Sequence, residues 1–229
     1  MNRRRSLATA GIDLRATLRT IGTYSRDPTT RWTSSSFAKA VLTPSGPGTM
    51  RLTWDASGTT TAEAWGSGAD WLLERAPRWV GLHDDVGGFR PDLHPTIAEW
   101  WRRHPGLRLA AAGVIWQELL LVLLGQRVTG SEALKSWQRI VHQWGEPAPG
   151  PCELRLPPTP DVVAAKTYVD LHRFNVERRR ADAILLAARR ANRLEEAATM
   201  STPDAFRRLT ALPGMGAWTA TSVITASHG

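Results

Sequence analysis

The sequence predicts an α+β fold in which a small antiparallel sheet precedes a helical domain. In the first third of the chain, apolar and polar residues alternate between clusters of turn residues, which is the period of half-buried strands. From about Gly68 the apolar residues recur at helical spacing, with capping residues at the ends of the segments. We therefore divide the 229 residues into a β domain over 1–68 and a helical domain over 69–229.

Three strands are predicted in the β domain, because short runs of apolar and β-branched residues alternate there with polar ones. In the second run, Met50, Leu52 and Trp54 share one side. Clusters of Pro, Gly, Asp and Ser separate the runs, as in tight turns. The strands are expected at 37–43, 50–54 and 59–65, with turns at 44–48 and 55–58.

Helices are predicted where apolar residues recur every three to four positions. The segment 114–124 is apolar nearly all round, so we expect it to be a buried central helix. Asp13 is expected to cap a short helix before the strands, and the proline-rich residues 145–160 are expected to form a loop. The helices of the second domain are expected at 69–80, 95–104, 114–124, 130–144, 176–191 and 203–211.

Capping residues define the starts of three of these helices. Thr129 and Glu132 have the spacing of a capping box. Asn175 is expected to cap the helix that follows the proline-rich loop. Thr202 is expected to cap a short helix that has a proline and Asp204 in its first turn.

The chain is basic, with 29 Lys and Arg against 21 Asp and Glu and a net charge of +8. Basic side chains that contact phosphates release condensed counterions, so this charge favours a nucleic-acid partner. A basic surface without such a partner is the alternative. The arginine run 178–180 is open to the same two interpretations, a solvated helix face or a DNA contact.

Several classes of protein and site are excluded. A single cysteine, Cys152, excludes an internal disulfide and a four-cysteine zinc or iron–sulfur site. The six histidines lack the spacing of metal ligands, and no serine-hydrolase motif is present. No apolar run reaches the roughly 20 residues of a membrane helix. We therefore expect a cytoplasmic protein without a cofactor or a membrane segment, while a bound metal stays unknown.

The segment 212–220, Leu-Pro-Gly-Met-Gly-Ala-Trp-Thr-Ala, lies between two predicted short helices. Gly214 and Gly216 are expected to adopt positive φ and to turn the backbone tightly. The N–H groups at the start of the following helix would then point outward, where they could bind a DNA phosphate. An ordinary corner between two helices is the alternative.

This segment resembles the hairpin of the helix-hairpin-helix DNA glycosylases, in the branch of bacterial 3-methyladenine DNA glycosylase II. Further segments are similar to that branch in order and spacing, and the strand-rich first third is similar to the small antiparallel domain that precedes the helices there. These segments are His-Pro-Gly-Leu-Arg-Leu at 104–109, Leu-Leu-Gly-Gln-Arg-Val-Thr at 123–129, Pro-Pro-Thr-Pro at 157–160 and Arg-Ala-Asp-Ala-Ile at 180–184.

The resemblance implies a monofunctional glycosylase that performs the first step of base excision repair. Such an enzyme flips an alkylated base, of the 3-methyladenine type, out of double-stranded DNA and hydrolyses its N-glycosidic bond. The implied partner is therefore duplex DNA with alkylated bases. The implied protein is a monomer associated with the nucleoid.

The resemblance also assigns the site residues. Trp218 stands where bifunctional members of the family carry a lysine that forms a Schiff base with the sugar. Its electron-rich indole face could line the base pocket, or the indole could pack between the hairpin helices. Gln126 and Arg127 stand at the DNA wedge in the minor groove, where an apolar residue is the expected type, although Gln126 could simply cap a helix end. The phosphate-binding hairpin is assigned to Pro213, Gly214, Met215, Gly216, Trp218 and Thr219.

In the family, a carboxylate stabilises the positive charge that develops on the sugar as the base departs. No residue of this chain is assigned that part. The resemblance places that aspartate beyond Gly229, and we expect the helical domain to be truncated there. No acidic residue follows Asp204, and Glu118 is interpreted as a hydrogen-bonded acid rather than a substitute. Two alternatives therefore stay open: a catalytically inactive helix-hairpin-helix DNA-binding protein, and a helical scaffold for a protein partner.

Overall fold

A computed structural model describes residues 3–22 and 24–229 and shows an antiparallel sheet followed by helices. The predicted α+β fold is confirmed. Met1, Asn2 and Thr23 belong to the predicted β domain and lie outside the described residues. The strands are β1 (Arg3–Ala8), β2 (Thr30–Trp32), β3 (Ser36–Thr43), β4 (Gly46–Trp54) and β5 (Thr59–Gly66), in the sheet order β1-β5-β4-β3-β2.

The three predicted strands correspond to β3, β4 and β5. The turn expected at 44–48 is shorter than predicted, because Gly46 pairs with Thr43 and Gly48 pairs with Val41. The sequence pattern does not predict the two edge strands. β1 begins with exposed arginines and β2 has three residues, so neither shows the alternation of a half-buried strand.

Helices form most of the remaining chain. Asp13 caps α1 as predicted, since its carboxylate accepts the N–H of Ala16 at 3.0 Å. The three five-residue helices are too short to show a helical period and escape prediction. The helices are α1 (Leu14–Thr17), α2 (Ala69–Trp79), α3 (Pro95–Arg103), α4 (Trp116–Leu124), α5 (Gly130–Trp144), α6 (Pro160–Ala164), α7 (Tyr168–His172), α8 (Arg178–Arg189), α9 (Ala191–Glu195), α10 (Thr202–Thr210) and α11 (Ala217–His228).

The capping box at the start of α5 is confirmed. Thr129 Oγ1 accepts the N–H of Glu132 at 3.3 Å, and the Glu132 carboxylate accepts the N–H of Thr129 at 3.0 Å. The two hydrogen bonds satisfy N–H groups that the first helical turn leaves free. The box therefore fixes the end of the turn between α4 and α5.

Two other predicted caps are wrong by one or two positions. Asn175 has a φ of 63° and does not cap α8; the Glu177 carboxylate accepts the first N–H groups of that helix instead. Ser201, rather than Thr202, caps α10, and its Oγ accepts the N–H of Asp204 at 3.3 Å. Either hydroxyl could cap a helix, so only the backbone geometry decides between them.

Two large apolar cores lie within the described residues. One lies between the sheet and α2 and includes the fully buried Phe37, Leu52 and Trp79. The other surrounds α4, where Leu119 and Leu123 are fully buried, as predicted for this apolar segment. The boundary between 68 and 69 stays a prediction, and α2 packs its buried side onto the sheet.

A buried ion pair joins the sheet to α4. Lys39 Nζ on β3 lies 2.6 Å from Glu118 Oε1, and both side chains are about 5% exposed. Lys39 also donates to the Ile21 carbonyl at 2.6 Å, and Gln117 Nε2 donates to Glu118 at 3.2 Å. The interpretation of Glu118 as a hydrogen-bonded acid is confirmed. These bonds fix α4, and with it the turn that follows, relative to the sheet.

Candidate nucleic-acid interface

A tight turn at 211–216 joins α10 to α11 at the place of the predicted hairpin. Pro213 is exposed and has no N–H to donate. Gly214 has a φ of 85°, and a Cβ there would lie 2.8 Å from the Cβ of Ala183 on α8, so both φ and space favour glycine. The prediction of positive φ is wrong for Gly216, which caps α11 in extended backbone with a φ of −80°.

The backbone of the hairpin presents free N–H groups to solvent. Met215 buries its side chain, and its own N–H donates to the Leu212 carbonyl at 3.1 Å. Within the described part of the chain, the N–H groups of Gly214, Gly216 and Ala217 have no acceptor, and all three residues are exposed. The positive end of the α11 dipole lies at the same place. The hairpin can therefore bind an anion such as a phosphate.

Gln126 ties the turn between α4 and α5 to this hairpin. Its Nε2 donates to the Gly214 carbonyl at 2.9 Å and to Thr219 Oγ1 at 2.8 Å. Thr219 is 2% exposed, so its hydroxyl faces the protein. The sequence assigns Gln126 to the DNA wedge and Thr219 to the phosphate, but their polar groups bond to each other. The geometry thus favours Gln126 as a residue that holds the hairpin in position.

Arg127 is an arginine of this turn that faces solvent. It is exposed, and its φ of 58° lies in a region uncommon for residues other than glycine. An open cleft of about 900 Å³ is lined by this turn, the hairpin and the start of α8. The lining of the cleft includes Arg127, Val128, Glu177, Arg179, Gly216 and Trp218.

Trp218 lies at the edge of this cleft and is 60% exposed. Of the two interpretations given for it, packing between the hairpin helices does not agree with this exposure. A large exposed aromatic side chain beside a cleft is typical of a ligand or partner contact. The indole is therefore placed where it could stack on a planar group.

The arginine run at the start of α8 divides into three different environments. Arg178 pairs with Asp182 at 3.1 Å and lies over the ring of Tyr168. Arg180 is buried and donates to the Leu124 carbonyl at 2.8 Å. Arg179 is exposed and lines the cleft. The run is thus neither a uniform solvated face nor a uniform binding surface.

Comparisons with known proteins agree with this architecture. No protein-family model matches the chain. The Escherichia coli (strain K12) protein DNA-3-methyladenine glycosylase 2 is 32% identical over 120 residues, which are 51% of this chain and 42% of that protein. The match therefore spans less than half of that relative.

Solved structures match over nearly the whole chain. The 3-methyladenine DNA-glycosylase of Archaeoglobus fulgidus has a TM-score of 0.78 at 18% identity, covering 97% of this chain and 78% of that one. The resemblance to helix-hairpin-helix DNA glycosylases is confirmed. The Clostridium acetobutylicum 8-oxoguanine glycosylase/lyase, solved with double-stranded DNA, has a TM-score of 0.70 at 13% identity and covers 95% of this chain and 73% of that one.

The carboxylates near the cleft already have structural partners. Glu177 lines the cleft, but its carboxylate accepts the N–H groups of Arg179 and Arg180 at 3.1 and 3.2 Å. Asp204 accepts from the hydroxyl of Ser201 at 2.6 Å and pairs with an arginine. In the chain as described, these acids hold helix ends.

A further acid, which is partly buried, lies away from the cleft. Glu195 accepts the N–H groups of Ile115 and Trp116, both at 2.9 Å, at the start of α4. Burial raises the pKa of the Glu195 carboxyl, although these hydrogen bonds act in the opposite direction. Its geometry is that of a long-range helix cap.

Two features are absent from residues 3–22 and 24–229. No helix there has the length and apolar character that crossing a membrane requires. No group of three or more His, Cys, Asp or Glu side chains there is arranged to hold a metal ion.

The sequence places Arg179 in the arginine run 178–180, but it does not show which arginine of the run faces the cleft or that Ala183 contacts the hairpin. Their spacing of four residues on one helix face was the feature that could have linked them.

Proposed function

We propose that this chain binds duplex DNA through the hairpin and acts in the excision of alkylated bases of the 3-methyladenine type, the first step of base excision repair. One observation carries the proposal: free backbone N–H groups, Arg127 and Trp218 lie around a single open cleft. The matched protein from E. coli is named a 3-methyladenine glycosylase, which supports this substrate class.

The cleft provides three different contacts for a damaged duplex. The N–H groups at Gly216 and Ala217 suit a backbone phosphate and act without regard to sequence. Arg127, held at an exposed tip, can fill the gap left by a flipped base or stack on its neighbours. The face of Trp218 attracts a positively charged alkylated purine. Because Trp218 replaces the Schiff-base lysine, we propose hydrolysis without lyase chemistry.

A second candidate is DNA binding without base excision. It is supported by the carboxylates described above, since Glu177 caps α8 and Asp204 is bonded to the Ser201 hydroxyl and to an arginine. Neither is available to stabilise a sugar cation. In this case the cleft would recognise a distorted duplex and leave its bases attached.

Two measurements on the same preparation separate the candidates. Fluorescence anisotropy with a labelled duplex measures binding, and chromatography of bases released from methylated DNA measures excision. Binding with release of 3-methyladenine supports the glycosylase, and binding without release supports the second candidate. Absence of binding at low salt would refute both.

A pair of matched variants tests whether the hairpin is the binding element. Gly216→Asp places a carboxylate among the free N–H groups, and we expect a loss of affinity of at least about tenfold from charge repulsion. Thr221→Asp makes the same charge change on the exposed face of α11, outside the cleft. Equal loss in both variants would contradict binding at the hairpin.

The remaining features of the proposal concern the protein's state in the cell. We propose a monomer that works in the cytoplasm on nucleoid DNA. Light scattering of the free protein and of its complex with one short duplex measures the stoichiometry. A dimer in either sample would contradict the monomer.

A further inference from the structure

Arg179 is an exposed arginine of α8 that the hairpin mechanism does not use. Its neighbours in sequence have partners, since Arg178 pairs with Asp182 and Arg180 bonds to the Leu124 carbonyl. The Arg179 guanidinium has no hydrogen bond or ion pair within residues 3–22 and 24–229, and it lines the same cleft as the hairpin. An arginine without a partner in a cleft is available to an external anion.

The helix geometry directs Arg179 toward the hairpin. Ala183 lies four residues further along α8, and its Cβ is the atom that a Cβ on Gly214 would meet at 2.8 Å. Residues four apart on a helix share a face, so Arg179 lies on the hairpin side of α8, one turn from that contact.

The positions of Arg179 and the hairpin are fixed relative to each other. Arg180 anchors the first turn of α8 to the end of α4 through the Leu124 carbonyl. Gln126, two residues later, anchors the hairpin through Gly214. Both sides of the cleft are thus attached to the same short segment. The nearest acid in the cleft, Glu177, is committed to backbone N–H groups of α8.

We propose that Arg179 binds a second backbone phosphate of the duplex held by the hairpin. This inference rests on the proposed DNA binding and adds a contact on α8 to it. The cleft then grips the DNA backbone from two sides, with backbone N–H groups at the hairpin and a guanidinium on α8. An arginine contact of this kind adds affinity without sequence preference.

The test compares Arg179→Ala with Arg178→Ala in anisotropy titrations of a labelled duplex over a range of salt concentrations. The two variants remove one positive charge from adjacent exposed positions, so long-range attraction changes equally. We expect Arg179→Ala to weaken binding roughly tenfold and to reduce the slope of log K against log salt by about one. Arg178→Ala should change affinity by less than about twofold.

Equal effects of the two variants, or an unchanged salt slope in Arg179→Ala, would overturn the inference. Urea unfolding of both variants checks that neither fold is altered. If the wild-type chain does not bind duplex DNA at all, the proposed function fails first. If the wild-type chain binds the duplex and Arg179→Ala has the same affinity and salt slope, only the proposed contact of Arg179 is refuted.

Discussion

Replacing Gln126 with alanine tests how the hairpin is held in place. The change removes hydrogen bonds of 2.9 Å to the Gly214 carbonyl and 2.8 Å to the Thr219 hydroxyl. Each neutral bond contributes about 1 kcal/mol, and a buried hydroxyl left without a partner costs about 1–3 kcal/mol. Since Thr219 is 2% exposed, we expect the free energy of unfolding to fall by about 2–4 kcal/mol.

A double-mutant cycle with Thr219→Val isolates the pairwise part of this loss. Valine has no hydroxyl to leave unsatisfied, so Gln126→Ala should then cost only about 1 kcal/mol. The coupling between Gln126 and Thr219, which is the difference between these two costs, should be about 1–3 kcal/mol. Urea unfolding, followed by circular dichroism and tryptophan fluorescence in the absence of DNA, gives all four free energies.

The control is Gln138→Ala on α5. Gln138 also donates one bond of 2.8 Å, to the Arg26 carbonyl, but the contact is exposed and leaves no buried group behind. We expect a loss below about 1 kcal/mol. Coupling below about 0.3 kcal/mol between Gln126 and Thr219 would refute the hydrogen-bonded link between the hairpin and the α4–α5 turn.

Three further changes test the surrounding fold. Gly214→Ala should lower the free energy of unfolding by about 2–4 kcal/mol, because alanine is strained at this positive φ and its Cβ would meet α8. Gly216→Ala should change the free energy of unfolding by less than about 1 kcal/mol in the same urea experiment. Lys39→Met leaves the partner carboxylate on α4 buried and unpaired and should cost about 3–5 kcal/mol, measured by thermal unfolding. Hydrogen bonds from Thr129 lower the pKa of the Glu132 carboxyl in the folded protein below its ordinary value of 4.5. The ionised carboxylate therefore stabilises the fold above pH 4.5, and this stabilisation is lost as the pH falls through the lowered pKa. Thr129→Ala should therefore raise that pKa, measured by NMR titration, and weaken the dependence of stability on acid pH.

The parts of the fold that the sequence predicts are those with a local cause. The capping box of α5 joins residues three apart, and the apolar segment of α4 has to be buried whatever surrounds it. Strands β3, β4 and β5 follow from alternation and turn residues. The edge strand β1 does not, because its arginines become a strand only through pairing with β5.

The site divides in the same way. Gly214 and its neighbours predict the tight turn, since glycine adopts positive φ without strain. The bond from Gln126 to Thr219 spans 93 positions and the bond from Arg180 to Leu124 spans 56, so no periodicity or spacing predicts them. These long-range bonds decide which polar side chains remain free for a ligand.

A polar side chain near the hairpin is free to bind a ligand only if it has no hydrogen-bond partner inside the protein. Gln126 and Thr219 lie beside free backbone N–H groups, yet the amide nitrogen of Gln126 donates to the hydroxyl of Thr219. A side chain that has its partners inside the protein gains little by exchanging them for a phosphate, whereas a free N–H or guanidinium gains a charge-assisted bond. Binding energy should therefore come mainly from the backbone at Gly216 and from exposed arginines. Variants of the internally bonded residues should weaken DNA binding only as far as they loosen the hairpin.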